Sequence, residues 1–148
     1  MYVANHFCAC GIARIRHIEH VLSILARSRS SVNAIRIEAI PDLGRNIQFS
    51  SVRERLQEMM IDDEIVTMRV DAAEQLVRTG GEEGLLAVLA ELGRRRNDPD
   101  IDYTAYMLSE LDNFGEFPVL RNALSIDQSR LSPDAKVGLS NLRQLMNK

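Results

Sequence analysis

The sequence predicts an all-α protein: a short right-handed α-solenoid of about three helix pairs with a capping helix at each end, in one domain over residues 1–148. A pattern recurs about every 33 to 35 residues, a period typical of stacked helix pairs. The chain is 45% hydrophobic but only 5% aromatic, and it has no Trp and only four Pro. This composition favours packed helices over a β-sandwich or barrel. A chain of 148 residues is long enough to bury one sizeable core.

The repeat is visible when the chain is superimposed on itself. A shift of 33 residues places Arg36 on Arg69, and a shift of 35 places Gly80 on Gly115. The conjunction of an arginine, an acid and a turn glycine with apolar positions predicts repeats at about 33–60, 66–96 and 101–126. The other matched pairs are Ile37 with Val70, Glu38 with Asp71, Ala39 with Ala72, Leu43 with Leu76, Val52 with Leu85, Leu56 with Leu89, Met59 with Leu92, Leu76 with Leu111, Leu85 with Leu120, and Leu89 with Leu124.

The first capping helix is predicted over about 11–29. Apolar residues recur there at three- and four-residue intervals, as in one face of a helix: Ile15, Ile18, Val21, Leu22 and Leu25.

The first repeat is irregular at its turn. Ser30 or Ser31 is expected to cap its first helix, and Pro41 is expected to kink or restart that helix. After the Gly44-Arg45-Asn46 turn, its second helix is predicted from about Ser51 to Met60. The apolar residues assigned to the first of these helices are Ile35, Ile37, Ala39, Ile40 and Leu43.

The two later repeats have clearer local signals. Gly80-Gly81 supplies the left-handed termination of the central pair, and Gly115 takes that place in the third. Pro118 lies near the start of the next helix, as is common. The last helix, over about 133–146, follows a Ser132 cap. The apolar faces of the central pair are Val70, Ala73, Leu76 and Val77, then Leu85, Leu86, Val88, Leu89 and Leu92, and the final helix offers Leu139, Leu142 and Leu145.

At this point the chain resembles the HEAT-repeat family, especially its short bacterial members. The resemblance is carried by the R-x-D-A-A-E-x-L-V-x-x-G-G run from Arg69 to Gly81 and by the LLAVLAEL helix that follows. It covers residues 33–126 and implies three HEAT-like helix pairs stacked in parallel layers. It also implies a curved surface that contacts another macromolecule, because most such repeats present one.

The connectors between repeats are acidic. Links between successive repeats of a solenoid emerge on one edge, so we expect these acids to form a ridge that docks a basic protein. The alternative is that aspartate simply suits turns and helix caps. The residues predicted to bind the partner are Asp62, Asp63, Glu64, Asp98, Asp100 and Asp102 in the connectors, with Glu91, Arg94 and Arg121 on the concave face.

We therefore expect a non-enzymatic protein-binding module without a cofactor. Its most specific form is an immunity protein that neutralises a basic toxin or nuclease by direct binding. An intracellular adaptor or scaffold of the HEAT-repeat kind is the alternative.

A metal site is a weaker hypothesis. All three His and both Cys lie between residues 6 and 20, and these are zinc-binding side chains. The Cys-x-Cys spacing is not the usual knuckle, so a packed end segment with free thiols is preferred. The candidates are His6, Cys8, Cys10, His17 and His20.

Nucleic-acid binding is a minor hypothesis because the charge is uneven. Residues 1–60 carry eight arginines against five acids, whereas residues 61–148 carry ten basic against sixteen acidic side chains. A cluster of arginines could neutralise phosphates, but the sequence pI is 5.6 and few aromatics are near. The arginines concerned are Arg14, Arg16, Arg27, Arg29, Arg36 and Arg45.

Motifs distinguish this chain from most enzyme families with HEAT-like repeats. Deoxyhypusine hydroxylases use repeated His-Glu dipeptides, and this chain has only the reversed Glu19-His20. DNA glycosylases of related fold need a basic groove with aromatic side chains, whereas this chain has no Trp and its later repeats are acidic. A bilin lyase remains an alternative. No apolar run reaches the length of a membrane span and the N-terminus lacks a secretion signal, so we expect a cytoplasmic protein.

Overall fold

The computed structural model describes the backbone of residues 6–147 and the side chains of residues 11–147. The described residues form eight α-helices and one short 3-10 turn, without a β-strand. None of these helices is long and apolar enough to cross a bilayer. The elements, in order, are α1 (His6–Arg27), α2 (Asn33–Arg45), α3 (Ser50–Asp62), α4 (Val66–Thr79), α5 (Gly81–Arg94), α6 (Ile101–Asn113), α7 (Val119–Leu124), the 3-10 turn (Gln128–Arg130) and α8 (Pro133–Met146).

The helices pack as successive pairs. Helices α2 and α3, α4 and α5, and α6 and α7 contact each other within pairs, while α4 packs against both α2 and α6. The predicted all-α class is confirmed, in an arrangement compatible with a short solenoid of helix pairs. One cluster of buried side chains runs through all of the pairs, from Val21 in α1 to Leu142 in α8.

The central pair matches its prediction closely. The α4 face buries Ala73, Leu76 and Val77, and the α5 face buries Leu85, Val88, Leu89 and Leu92. Gly81 begins α5 with a φ of 60°, and Gly115 has a φ of 69° in the turn between α6 and α7. Both glycines therefore occupy the left-handed region that other residues avoid.

Helix α8 begins and ends where the sequence predicts, but it does more than close the stack. The Ser132 hydroxyl accepts a hydrogen bond from the Ala135 amide at 3.1 Å, which caps the helix. Helix α7 is only six residues long, and α8 packs chiefly along α5. Two glycines permit this close approach: a Cβ on Gly93 would lie 1.8 Å from the Asp134 carbonyl oxygen, and one on Gly138 would lie 1.9 Å from that of Leu89.

The register of these contacts makes α5 and α8 antiparallel. Gly93 of α5 meets Asp134 near the start of α8, while Gly138, one turn later in α8, meets Leu89, one turn earlier in α5. Helix α8 therefore covers one side of α5 with a helix that runs in the opposite direction.

Helix α1 differs from its prediction in the side that it buries. It starts earlier than predicted, at His6, and ends at Arg27. Val21 and Ile24 are buried, but Ile15, Ile18 and Leu22 are more than half exposed. The apolar residues of this helix thus lie on two sides, and only one side packs against the rest of the protein.

Helix α2 also differs from its prediction in several details. Val32, not Ser30 or Ser31, precedes the helix, and the Ser30 hydroxyl instead accepts a hydrogen bond from the Val32 amide. Pro41 lies inside one continuous helix. Ile35 and Ile37 are exposed, whereas Arg36 is buried between them, because its guanidinium contacts Asp63 in the connector after α3.

Candidate protein-docking groove

An open groove of about 650 Å³ lies between α4 and α6. Val66, Thr67, Val70 and Asp71 line it from α4, at the three- and four-residue spacing that places side chains on one helical face. Tyr103, Tyr106, Met107 and Glu110 line it from α6 with the same spacing, and Asp100 lies at the start of that helix. We call this feature the α4–α6 groove.

The two tyrosines in the α4–α6 groove are accessible to a partner. Tyr103 is 61% exposed and Tyr106 is 56% exposed, and they are three residues apart on α6. An exposed aromatic face attracts cations and offers a large apolar contact area. Met107 is buried and Val70 is half-buried, so the groove combines an apolar lining with exposed rings.

The groove also carries negative charge that the fold does not neutralise. Within the described residues, neither Asp71 nor Glu110 makes an ion pair, whereas Asp100 accepts a hydrogen bond from Arg69 at 2.9 Å. Burial, with a smaller contribution from the charge of Glu74, raises the pKa of Asp71 above its ordinary value of 3.8. A bound cation would oppose this upward shift, because a neighbouring positive charge favours the ionised carboxylate.

The α4–α6 groove was not predicted from the sequence. Of its lining residues only Asp100 was a candidate. A signal was present, since two of the three tyrosines in a chain with few aromatics lie within one helical turn. The sequence could not show that α4 and α6 lie side by side, which brings Asp71 opposite these rings.

Several acids of the predicted ridge are used inside the fold. Asp63 contacts Arg36 at 3.4 Å and its other oxygen accepts the Ile65 amide. Asp100 pairs with Arg69, and Arg36 and Arg69 are equivalent positions of the repeat. The first and second repeats therefore each use the arginine at this position to hold the connector that follows, whereas the third repeat has Thr104 there.

Asp98 has a similar internal role. It accepts hydrogen bonds from the Asp100 amide and from the Arg95 guanidinium, and these bonds hold the pKa of its carboxyl below the ordinary value. Asp102 in the same connector is exposed. These contacts agree with the alternative that aspartates at these positions serve as turn and cap residues.

In the first connector, Asp62 and Glu64 are exposed. Together with Asp63 they line a second open groove of about 540 Å³, which also contains Arg29 and Arg55. The negative charge of this connector is thus interleaved with arginines, so this region is of mixed sign.

The placement of Glu91 on the binding surface is corrected by the structure. Glu91 is only 3% exposed. Its carboxylate accepts hydrogen bonds from Arg94 Nη2 at 2.7 Å and Nε at 2.9 Å, and Arg95 lies 3.7 Å away. Arg94 itself is half exposed, and its pKa is raised chiefly by the hydrogen bond to Glu91.

Arg121 is exposed on α7. It lines a shallow depression with Asp112, Leu120 and Leu124, separate from the α4–α6 groove. The structure therefore does not gather the predicted binding residues into one surface: it leaves Arg121 apart and uses several of the acids within connectors.

The described part of the chain contains no cluster of metal-binding side chains that would support the metal hypothesis. Among the described residues, no three His, Cys, Asp or Glu side chains are arranged to hold a metal ion. The ring of His17 packs against Phe49 with their centroids 5.3 Å apart, and His20 is exposed. His6, Cys8 and Cys10 lie outside the residues whose side chains are described.

Most arginines of the nucleic-acid hypothesis have acidic partners. Arg27 and Arg45 both pair with Asp42, Arg29 pairs with Glu58 and Arg36 with Asp63. Within the described residues, only Arg14 and Arg16 of the six lack such a partner. The cluster is therefore largely neutralised.

Comparison with known proteins gave no match: no protein-family model, no curated protein and no solved structure is significantly similar to this chain.

Proposed function

We propose that this protein is a non-enzymatic helical-repeat module, of HEAT-like type, that binds a basic segment of another protein in the α4–α6 groove. The supporting observation is the combination in one groove of two exposed tyrosines with two carboxylates, Asp71 and Glu110, that make no ion pair within the described residues. An arginine or lysine side chain fits this combination. Its charge would face the carboxylates while its aliphatic stem packs on the rings.

The electrostatics favour a basic partner over an acidic one. The groove contributes three carboxylates, and among the described residues only Arg69 forms an ion pair with one of them, Asp100. Opposite charge accelerates encounter and improves discrimination between partners. The affinity should accordingly fall as salt is added, because partly exposed charges are screened.

The specific role that we propose is neutralisation of a basic toxin or nuclease, as in an immunity protein, with a cytoplasmic adaptor as the alternative role. Both roles use the same groove, and they differ in whether the partner is toxic when it is free. If a gene beside this one encodes a basic toxin, co-expression of this protein should restore growth, and variants of the groove should lose that protection.

The direct test uses fluorescence anisotropy with labelled peptides that carry several arginines or lysines beside apolar residues. The same peptides with glutamine in place of the basic residues serve as the reference. We expect salt-sensitive binding of the basic peptides only. Tyr103→Ala and Glu110→Gln should each weaken it several-fold to about tenfold, since one cation–π contact contributes about 0.5–2 kcal/mol.

Phe114→Ala provides a matched control. Phe114 is 76% exposed and follows the end of α6 without lining the groove, so its loss should leave affinity unchanged. If Tyr103→Ala and Phe114→Ala have the same effect, or if the glutamine peptides bind equally well, the α4–α6 groove is not the docking site.

A further inference from the structure

The first half of α1 has no packing partner in the described structure. Every residue from 11 to 20 is exposed, and α1 begins to contact the remaining helices near His17, which packs on Phe49. Helix α1 has 22 residues whereas its neighbour α2 has 13. Its N-terminal half therefore extends beyond the helix on which it packs.

This extension carries a continuous apolar stripe. Ile12, Ile15, Ile18 and Leu22 are between 48% and 59% exposed, and at 3.6 residues per turn they fall within about 120° of the helix circumference. Val21, Ile24 and Ser28, which are buried, lie on the other side. We call the four exposed residues the α1 stripe. A contiguous apolar patch of this kind generally marks an interaction site.

We propose that the α1 stripe docks a second copy of this chain, as an antiparallel helix pair whose two-fold axis crosses α1 between His17 and Ile18. An interface with two-fold symmetry must be self-complementary. The stripe meets that condition, because this axis places Ile12 of one copy within one residue of the level of Leu22 in the other and makes the two Ile15–Ile18 segments overlap.

The charges beside the stripe fit the same axis. Arg16 and Glu19 lie along one edge of the stripe, and neither makes an ion pair within the described residues. In the antiparallel pair, Arg16 of each copy lies level with Glu19 of the second copy. The dimer therefore contains two equivalent Arg16–Glu19 ion pairs, which favour this antiparallel register.

The exposed N-terminal half of α1 leaves room for a second copy to reach the α1 stripe. Because residues 11–16 project past the remaining helices, two α1 helices can pair along the stripe while the bodies of the two copies stay on opposite sides. An isolated helical extension is marginal in water, and pairing would bury the side chains that α1 now exposes.

Sedimentation velocity on the full chain tests this proposal. We expect a species of twice the 16.7 kDa of the chain at concentrations up to about 100 μM. Ile15→Glu should convert it to a monomer whose helical circular dichroism is retained. Phe114→Glu introduces the same charge at an even more exposed apolar residue just past the end of α6, and it should leave the dimer intact.

A charge-exchange experiment tests the register. Arg16→Glu and Glu19→Arg should each weaken the dimer at least several-fold, because each places like charges opposite one another. A mixture of these two variants should form a heterodimer again, and so should the double variant with itself. If the mixture shows no recovery, the antiparallel register is wrong.

Other occupants of the stripe give different results. A parent protein that remains monomeric at the highest concentration overturns the proposal. The same holds for a monomer that binds vesicles of mixed neutral and anionic lipid through Ile12 and Ile15, which would make the stripe a membrane-surface contact. The groove variants described above should not alter the dimer, so the two proposals fail independently.

Discussion

The contact between α5 and α8 predicts that adding one methyl group to the middle of α8 destabilises the protein. A Cβ on Gly138 would lie 1.9 Å from the Leu89 carbonyl oxygen and 3.1 Å from the Gly93 amide nitrogen. Both atoms belong to the backbone of α5, so no side chain can rotate away. Gly138→Ala must therefore push the two helices apart.

The magnitude follows from two opposing effects. An alanine inside a helix is favoured over glycine by about 1 kcal/mol. To reach ordinary contact at about 3.4 Å, α8 must recede by about 1.5 Å, which loosens the packing of Ala135, Leu139 and Leu142 against α5. Overpacking of this kind costs about 1–3 kcal/mol and sometimes more. Because a separation of this size between two backbones corresponds to the upper end of that range, about 3 kcal/mol, we expect a net loss of about 2 kcal/mol, or roughly 4–8 °C in Tm.

The assay is urea denaturation followed by circular dichroism at one fixed protein concentration. Gly11→Ala is the matched control, because Gly11 lies in α1 with nothing within 4 Å of its added Cβ. That substitution should leave stability unchanged or raise it slightly. If Gly138→Ala proves as stable as Gly11→Ala, the close antiparallel packing of α5 and α8 is refuted.

Three further outcomes are expected. Leu89→Ala should cost about 2–5 kcal/mol in urea denaturation, since Leu89 is fully buried, and a loss below 1 kcal/mol would mean that its site collapses or is wet. Arg36→Ala should cost about 3 kcal/mol, because it leaves the buried Asp63 carboxylate without its cation. Recovery on adding Asp63→Asn, which removes the charge but can keep the oxygen that accepts the Ile65 amide, would support the pair, and no recovery would contradict it. Asp42→Asn should lower the free energy of unfolding at neutral pH, and this loss should become smaller as the pH falls below 3.8. The hydrogen bond from Arg27 is the main cause that lowers the pKa of Asp42 in the folded protein. The stability that this contact adds is therefore present above the pKa of the unfolded chain and is lost as the pH falls through the pKa of the folded protein. Thermal melts of both proteins across this pH range would show a constant difference in stability if that reasoning were wrong.

The positions of the helices were largely predictable from local signals. The Ser132 cap and Pro133 fix the start of α8, and Gly81 and Gly115 mark the turns within the second and third pairs. These signals act within a few residues of the chain, so the sequence contains them directly. The α2 helix was less well predicted, because Pro41 permits either a kink or a continuous helix until its surroundings are known.

The candidate site was scarcely predictable. Asp63, Asp98 and Asp100 are acidic in the sequence, but only the structure shows that arginines and backbone amides already hold them. Glu91 is a further example, since its 3% exposure appears only once the helices have packed. In the α4–α6 groove, Asp71 is visible in the sequence as part of the repeat motif. It comes to lie opposite Tyr103 and Tyr106 only when α4 and α6 pack.

The sequence by itself determined that the chain is helical, where most helices begin and end, and which residues of the central pair form its core. The physical reason is that caps, left-handed glycines and apolar periodicity act over one or two helical turns. The tertiary structure decided that Gly93 and Gly138 bring α8 onto α5, and that α1 buries Val21 and Ile24 while exposing Ile15 and Ile18. A helix with apolar residues on two sides can bury either one, and only contact with distant segments selects between them.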